Sequence, residues 1–243
     1  MNIEGFVGEL REKGSYETDP HAPRLLVDRL FGWADKWFFL REFLLVYQGS
    51  RWAKAGHFGY PEWTSRAVGI LRAMEGCGAR ISISDAKVLT EINGPAVYVA
   101  NHMSQTETML LPGAIILPFQ KVTTVVKESL LTYPVFGRVM TALDPIAVTR
   151  RNPREDLKHV LKKGAEELGR GISVVLFPQS TRSVTFDPTT FNSLGVKLAG
   201  RAGVPIVPVA LRTDFRGIGR TIRQDGNHGH EEKCEQNQYG PFQ

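Results

Sequence analysis

Short apolar runs alternate with helical patterns over the second half of the chain. The runs are rich in Val and Ile and are bounded by Gly, Pro and Asn, which is typical of buried strands. The predicted strands lie at residues 80–84, 96–100, 122–126, 145–149, 172–177 and 206–211. Strands separated by helices favour parallel pairing. The pattern therefore predicts an α/β fold with a mostly parallel central sheet flanked by helices.

One of the intervening helices has both ends marked in the sequence. Asn152 is a good capping residue, Pro153 suits the first helical position, and Gly171 is typical of a helix end. The apolar residues between them fall on one face at helical spacing, namely Leu157, Val160, Leu161, Ala165 and Leu168. A second helix, or a fragment of one, is predicted over residues 108–117.

The N-terminal third has a different pattern. Residues 1–25 are polar and mixed, which predicts a loosely held lead-in. Residues 26–75 are dense in aromatic and aliphatic side chains, with Trp, Lys and Arg beside them, and we expect about two helices there. This composition is typical of an interfacial membrane helix, but helices that pack on a sheet also have an apolar face. Composition leaves both readings open.

The apolar periodicity ends after about residue 220, and the remaining residues are polar. We expect a mobile tail there. The pattern thus divides the chain into an N-terminal helical region at 1–78, an α/β domain at 79–220 and an irregular tail at 221–243.

The composition is that of a globular protein, but it does not identify the function. The chain has 243 residues, 42% hydrophobic and 23% charged, which suits a globular protein with a sizeable core. Its two cysteines form neither a disulfide framework nor a metal-ligand pattern, so no metal is expected. No secretory signal opens the chain, and no apolar stretch approaches the roughly 20 residues that span a bilayer.

The net charge of +5 and the isoelectric point of about 9.3 suit an anionic partner. An acidic substrate, an anionic membrane surface and nucleic acid all fit this charge. Nucleic acid is disfavoured, because the sequence contains no recognition motif and no Lys/Arg-rich run.

The candidate chemistry begins directly after the strand at 96–100, in the run NHMSQTE at 101–107. His102 lies at the carboxyl end of that strand, where open α/β sheets bind ligands. Glu107 follows five residues later, near the start of a helix, from where its carboxylate can reach one imidazole nitrogen. The other nitrogen is then free to take a proton from a nucleophile. Taken alone this spacing is weak evidence, because many helices contain such a pair.

Further polar residues follow other predicted strands. The run FPQSTRS at 177–183 includes Arg182, whose planar guanidinium suits phosphate, although a structural ion pair explains a single arginine equally well. Lys127 and Arg150 each end a strand and suggest an anion-binding face. A solvated surface charge is the alternative for either one.

The order of these elements resembles the PlsC-like glycerolipid acyltransferases, the family of 1-acylglycerol-3-phosphate acyltransferases. That family carries Asn-His-x-x-x-x-Asp, a Lys-x-Glu-Leu segment leading to an Arg, Phe-Pro-Glu-Gly-Thr-Arg-Ser and a Val-Pro-Ile strand. The corresponding segments here are NHMSQTE at 101–107, residues 127–150, FPQSTRS at 177–183 and VPIVPV at 204–209. The resemblance spans about residues 80 to 215.

The resemblance implies transfer of a fatty acyl group from acyl-CoA or acyl-ACP to the hydroxyl of a lysophospholipid, in phospholipid biosynthesis. His102 is then the general base, and Glu107 orients the imidazole. No cofactor is implied, since the thioester is a co-substrate. The implied substrate-binding residues are Lys127, Arg150, Phe177, Gln179, Ser180, Thr181 and Arg182. The implied partners are a membrane lipid surface, the lysophospholipid and the acyl donor. The implied location is the cytoplasmic face of a membrane, held peripherally or monotopically. The aromatic band at 30–71 matches the membrane-facing N-terminal helices of the family, so the resemblance implies that the helical region at 1–78 binds the membrane interface.

Three departures from the family pattern bear on this expectation. Glu107 stands where the family has Asp, which makes an HX4E motif and moves the carboxylate by one methylene. Gln179 and Ser180 replace Glu and Gly of the third motif, and the tail at 221–243 differs from the usual continuation. The alternative hypothesis is therefore a lipid-binding relative of the same fold with weakened catalysis.

Overall fold

The computed structural model of this chain describes residues 3–22, 34–179, 182–183 and 187–213. The helices are α1 (Ile3–Lys13), α2 (Ala34–Lys54), α3 (Tyr60–Gly76), α4 (Val88–Glu91), α5 (Glu107–Leu110), α6 (Phe136–Ala142), α7 (Pro153–Gly169) and α8 (Leu194–Ala202). The strands are β1 (Tyr16–Glu17), β2 (Ser82–Ile83), β3 (Val97–Ala100), β4 (Val122–Lys127), β5 (Ile146–Val148), β6 (Ser173–Leu176) and β7 (Ile206–Val209). A π-helical turn at Leu111–Ile116 continues α5, and single 3-10 turns lie at Glu128–Leu130 and Pro188–Thr190.

The central sheet has five strands in the order β5-β4-β6-β3-β7, and each neighbouring pair is parallel. Val97 of β3 pairs with Val174 of β6 on one side and with Ile206 of β7 on the other. The inner strands β3 and β6 are buried on both faces, which explains why they read as continuous apolar runs, whereas the edge strand β7 exposes Ile206 and Pro208. The predicted α/β fold with a mostly parallel sheet is confirmed.

The run at 80–84 does not join this sheet. Only Ser82 and Ile83 are extended, and they pair antiparallel with β1 as a separate two-stranded ribbon. Their alternating pattern is that of a short ribbon with one covered side, which cannot be told from a sheet strand by sequence alone.

Helix α7 begins and ends at the predicted signals. The Asn152 side chain accepts a hydrogen bond from the Glu155 N–H at 3.3 Å, and Pro153 occupies the first helical position. Gly171 follows the helix with a φ of +81°, a backbone conformation that residues with a Cβ adopt only with strain. Val160 and Leu168 on its inner face are buried in one cluster with Ile146 and Val174 of the sheet and Leu198 of α8.

The prediction of a loosely held lead-in at residues 1–25 is wrong for residues 3–22. They form α1, β1 and their connections, and Phe6 and Leu10 are fully buried. The Phe6 ring packs edge-on against the Tyr16 ring with centroids 4.8 Å apart. Apolar side chains at Phe6 and Leu10, one helical turn apart, are enough to bury one side of a short polar helix.

The predicted helical region at 26–75 contains α2 and α3, with residues 23–33 outside the described part. Phe38 of α2 is 1% exposed and packs in a cluster with Ile70 and Met74 of α3. The outer face of α2 is apolar as well: Phe39, Leu40, Phe43, Leu44 and Tyr47 are 38–55% exposed. Among the described helices, none combines the length and the apolar character needed to cross a bilayer. The predicted tail at 221–243 lies outside the described residues.

Candidate active site

The carboxyl ends of the parallel strands meet at one edge of the sheet. His102 follows β3, residues 177–179 follow β6, Lys127 is the last residue of β4, and Arg150 lies two residues after β5. Parallel pairing brings these four strand ends together although they lie far apart along the chain. The structure therefore places these strand ends, with His102, Lys127 and Arg150, along one edge of the sheet.

His102 and Glu107 are in contact. The Nδ1 atom of His102 lies 3.1 Å from Oε1 of Glu107, which is the first residue of α5. Because a carboxylate accepts hydrogen bonds, Nδ1 carries the proton and Nε2 has the free lone pair. The side chain of His102 is 16% exposed and that of Glu107 only 4%. The extra methylene of Glu, compared with Asp, therefore does not prevent the carboxylate from reaching the imidazole.

The Glu107 carboxylate is held by several donors besides His102. Oε1 accepts from the backbone N–H groups of Met103 and Ser104, the latter at 2.7 Å. Oε2 accepts from Ser104 Oγ at 2.9 Å and from Thr213 Oγ1 at 2.8 Å. Burial alone would raise the pKa of Glu107. The hydrogen bonds from His102, Ser104, Thr213 and Met103 outweigh burial and lower that pKa below its ordinary value. Glu107 is therefore ionised at neutral pH.

The backbone around His102 is fixed from two directions. Its N–H donates to Gln179 Oε1 at 2.5 Å, and its carbonyl accepts from the Ser183 N–H at 2.9 Å. The preceding residue, Asn101, makes a two-way pair with Leu211 after β7: the amide donates to the Leu211 carbonyl at 2.8 Å and accepts from the Leu211 N–H at 2.6 Å. The ring of His102 also packs 4.7 Å from that of Phe177.

A cavity of about 580 Å³ borders His102. Its walls are mainly apolar and include Val126, Leu130, Phe136, Val139, Leu157 and Leu176. Lys127, Arg150 and Gln179 also line it, so basic and amide groups share the cavity with the imidazole. Asp156, Lys197 and several hydroxyl and amide side chains complete the lining, and apolar walls with convergent polar groups are typical of a site for an amphipathic ligand.

Several of the other predicted substrate-binding residues also lie at this cavity. Lys127 and Arg150 are exposed at the cavity, and the Arg150 N–H donates to Asp156 Oδ2 at 2.7 Å. Phe177 and Gln179 line the cavity beside His102. Arg182 is partly buried and does not belong to the described residues that line the cavity. Ser180 and Thr181 lie outside the described residues.

Sequence reasoning did not single out Ser104 or Thr213. Ser104 lies inside the 101–107 run, three residues before Glu107, where a hydroxyl at a helix start is a known signal. Thr213 carries no comparable signal, because it lies beyond the last predicted strand and matches no quoted motif. Within the described ranges, no group of three or more His, Cys, Asp or Glu side chains is arranged to hold a metal ion.

The site thus combines an α/β sheet with a histidine–carboxylate pair at its carboxyl edge and a mainly apolar cavity beside that pair. Comparison with known proteins identifies the family. The family model described as Acyltransferase matches residues 80–212, more than half of the chain. This chain belongs to that acyltransferase family, which confirms the resemblance seen in the motifs.

Several curated relatives are named 1-acyl-sn-glycerol-3-phosphate acyltransferase. The protein of that name from Pseudomonas aeruginosa is 31% identical over 186 residues, which cover 76% of this chain and 67% of the relative. The one from Escherichia coli is 32% identical over 136 residues, 56% of this chain and 54% of the relative. The chloroplastic LPAT1 of Arabidopsis thaliana is 30% identical over 152 residues, 62% of this chain. The matched region spans 39% of LPAT1, so the match is to part of that longer protein.

The crystal structure of the 1-acyl-sn-glycerophosphate acyltransferase PlsC from Thermotoga maritima is also similar. It shares 20% identity over 70% of this chain and 74% of that chain, with a TM-score of 0.36. The family assignment rests on the sequence matches.

Proposed function

We propose that this protein transfers a fatty acyl group from acyl-CoA or acyl-ACP to the hydroxyl of 1-acylglycerol-3-phosphate. The observation that carries the proposal is the His102–Glu107 pair at 3.1 Å, with His102 lining a mainly apolar cavity. The names of the curated relatives support the choice of acceptor.

In the proposed reaction, Nε2 of His102 takes the proton of the acceptor hydroxyl as its oxygen attacks the thioester carbonyl carbon. The carbonyl electrons move to oxygen and form a tetrahedral oxyanion. The carbonyl then reforms, the carbon–sulfur bond breaks, and the thiolate takes the proton from the imidazolium. Glu107, ionised and buried, stabilises that imidazolium and holds the ring orientation. The substrate hydroxyl is the nucleophile, so no protein nucleophile is needed.

The charges at the cavity support a phosphate-bearing substrate. Lys127 and Arg150 are cations at the ends of β4 and β5, and both line the cavity that contains His102. A phosphate near them gains charge-assisted hydrogen bonds. The apolar walls suit the acyl chain. Arg182 remains a candidate for the same role on the strength of the motif alone.

The exposed apolar side chains on the outer face of α2 support the proposal that the protein binds a membrane surface. Phe43 is 55% exposed and its ring stacks on that of Tyr47, with centroids 5.9 Å apart. Exposed aromatic and aliphatic side chains along one helix, with Arg51 and Lys54 in its last turn, suit the interface of an anionic bilayer. We expect peripheral binding at the cytoplasmic face of the membrane. Phe43→Ser with Leu44→Ser should release the protein from anionic vesicles in a sedimentation assay, and unchanged sedimentation would contradict the proposal.

The decisive experiment compares the wild type with His102→Ala. Purified protein is incubated with radiolabelled acyl-CoA or acyl-ACP and 1-acylglycerol-3-phosphate in mixed micelles, and the product phosphatidic acid is measured. We expect turnover by the wild type and a loss of at least about a hundredfold in the variant. Equal turnover in both would exclude His102 as the base.

The second candidate function is lipid binding with weakened catalysis. Gln179 in place of the family's Glu is the observation that favours it, because a negative charge is missing beside His102. Absence of product from the wild type, together with retained binding of the lysophospholipid, would support this alternative.

A further inference from the structure

A group of basic side chains lies on the outer surface of α7 and α8. All of its members are exposed, namely Arg151, Arg154, Lys158, Lys197 and Arg201. We call this set the α7–α8 basic surface. One acidic side chain lies among them, since Glu155 accepts a hydrogen bond from Lys158 at 2.9 Å. The surface therefore has an excess of positive charge.

The two helices lie side by side on one face of the sheet. Each of them connects one parallel strand to the next, so both begin at the carboxyl edge of the sheet and run back across it. Val160 of α7 and Leu198 of α8 are buried in the same cluster. A Cβ at Gly164 of α7 would lie 2.9 Å from the Leu198 side chain, so the helices approach closely. Their outer sides thus form one continuous surface.

The cations follow a ridge on each helix. Arg154 and Lys158 are four residues apart on α7, and Lys197 and Arg201 are four residues apart on α8, a spacing that places side chains one above the other. Val196, beside Lys197, is 65% exposed. Small ligands bind in concave pockets, whereas an outer helix surface with an apolar residue among charges is typical of contact with another protein. The positive charge favours an acidic partner.

The basic surface adjoins the cavity that contains His102. Pro153 and Leu157 from the start of α7 line this cavity, and so do Leu194 and Lys197 from α8. Lys197 thus belongs both to the cavity wall and to the basic surface. A protein bound on this surface lies next to the cavity, so a group tethered to that protein can enter it.

The basic surface and α2 lie on opposite faces of the sheet. Successive residues of a strand point to opposite faces. Val97 of β3 is in the cluster that contains α7 and α8, and Tyr98 is in the cluster that contains α1 and α3. Helix α2 packs on α3 through Phe38 and Ile70. When α2 lies on a bilayer, as proposed above, the basic surface is on the far side of the sheet and is open to a soluble partner.

We propose that the α7–α8 basic surface binds the acidic carrier protein of an acyl thioester, so that acyl-ACP is the donor this surface recognises. The inference rests on the proposed acyl transfer and names its donor. Complementary charge speeds the encounter of two proteins and fixes their orientation. The bound carrier presents its thioester to the cavity beside His102. The acceptor oxygen attacks the thioester carbonyl as described above, and the carrier thiol leaves with the proton.

The test compares two double variants with equal changes in net charge. Arg154→Glu with Arg201→Glu reverses two cations of the surface, and neither residue lines the cavity. A Glu in the first turn of α7 suits the helix dipole, so the fold is retained. Lys87→Glu with Lys121→Glu is the control, because both are exposed cations outside the basic surface. After melting temperatures have established folding, phosphatidic acid is measured with palmitoyl-ACP and with palmitoyl-CoA as donors.

With palmitoyl-ACP, the Arg154→Glu, Arg201→Glu variant should raise the KM of the donor at least about tenfold, with kcat within about twofold of the wild type, because like charges then oppose docking. With palmitoyl-CoA, its KM should stay within about twofold of the wild type. The control variant should keep the wild-type values with both donors. Added salt should raise the wild-type KM for palmitoyl-ACP toward that of the reversal variant.

Two results would overturn the inference. One is an unchanged KM for palmitoyl-ACP in the reversal variant. The other is an equal rise in KM for both donors, because the cations would then act on something other than the carrier protein.

Failure of this inference is distinguishable from failure of the proposed function. A wild type that forms phosphatidic acid from palmitoyl-CoA but not from palmitoyl-ACP removes only the role given to the basic surface. A wild type that forms no product with either donor removes the proposed function and this inference with it.

Discussion

Thr213 donates a hydrogen bond from Oγ1 to Oε2 of Glu107 at 2.8 Å, although the two residues are 106 positions apart in sequence. Glu107 begins α5 after the β3 strand, and Thr213 follows β7, which pairs with β3 in parallel. The segment after β7 is therefore part of the support for the histidine–carboxylate pair. Asn101, through its two hydrogen bonds with Leu211, ties the same segment to the residue before His102.

Thr213→Val should lower kcat by about tenfold. The change keeps the size of the side chain but removes one donor from a buried carboxylate, and a hydrogen bond to a charged group contributes about 1.5–3 kcal/mol. Loss of that bond lets Glu107 move relative to His102 and weakens its support of the imidazolium. The kcat of the purified variant is the measurement. Thr213→Ser, which keeps the hydroxyl, should retain most of the activity, and equal losses in the two variants would point to packing of the methyl group instead.

Glu107→Asp should reduce activity, by about 10- to 100-fold. The structure places the longer carboxylate 3.1 Å from His102 while it also accepts from Ser104 and Thr213, and a shorter side chain cannot keep all these contacts. Small displacements of a catalytic group have effects of this size. Higher activity in this variant would mean that the Glu107 geometry described above is unproductive.

Glu107→Gln should be the more damaging change, at about 10²- to 10⁴-fold in kcat. The amide has the same length but no charge, so it cannot stabilise the imidazolium that forms when His102 takes a proton. Folding should be preserved, since the amide oxygen can take the Oε1 position and accept from the Met103 and Ser104 N–H groups, while the N–H₂ group donates to the hydroxyls of Ser104 and Thr213. Near-normal kcat would exclude a role for the charge. Circular dichroism and melting temperature provide the control for folding.

The stability contributed by the Glu107 charge should disappear in acid. Its pKa is lowered in the folded protein, so the folded state favours the ionised form. The contribution is then complete above the unfolded pKa, near 4.5, and decreases as the pH falls below that value. We expect the difference in unfolding free energy between wild type and Glu107→Gln to shrink between about pH 5 and pH 3. Urea titrations across this range measure it, and a constant difference would contradict the assignment.

Gly137→Ala should destabilise the fold by about 1–3 kcal/mol. A Cβ at this position would lie 2.2 Å from the carbonyl oxygen of Leu131, which is a backbone atom and cannot rotate away. Gly200→Ala is the matched control, because α8 leaves open space at that position and Ala favours a helix more than Gly does. Chemical unfolding should therefore show opposite signs for the two changes. A neutral Gly137→Ala would show that the connection before α6 shifts easily.

Glu75→Ala should destabilise the protein by about 1–3 kcal/mol, because it removes the acceptor of several hydrogen bonds, including one from the partly buried Arg72. Glu75 is 9% exposed and accepts from Tyr16 at 2.5 Å, from Thr18 at 2.7 Å and from Arg72 at 2.5 Å. The change leaves the Arg72 guanidinium without its carboxylate and detaches the segment after α1 from α3. Glu12→Ala, at an exposed position on α1, should have little effect. The comparison is made by urea unfolding, and similar stabilities would mean that the Tyr16–Glu75 contact contributes little.

The central sheet could be predicted from sequence because its strands are short, largely apolar runs, and the inner strands β3 and β6 are buried on both faces. The run at 96–100 is an example: Val97 and Tyr98 are buried, and strand β3 begins and ends within one residue of the prediction. The ends of α7 could also be predicted, because the capping residue Asn152 and the terminating Gly171 are local sequence signals. The prediction that residues 80–84 belong to the central sheet was wrong, because an alternating pattern does not specify which other strand a segment pairs with.

The site was predictable only where its residues adjoin a recognisable strand end. His102 and Glu107 belong to one local run, and Gln179 follows β6 directly. Thr213 approaches Glu107 only through the pairing of β7 with β3, which no local pattern encodes. Residues 3–22 were misjudged for a similar reason, since Phe6 and Leu10 gain their burial from residues far along the chain.

The position of β3 in the sheet has a consequence for synthesis on the ribosome. This strand, which presents His102, lies between β6 and β7, and both are translated later. While the ribosome adds the intervening residues, β3 has both hydrogen-bonding edges unsatisfied, and such exposed apolar edges favour association with other chains. We therefore expect nascent chains stalled before β6 to bind chaperones. This binding should end only when the β7 segment has left the exit tunnel and can pair with β3.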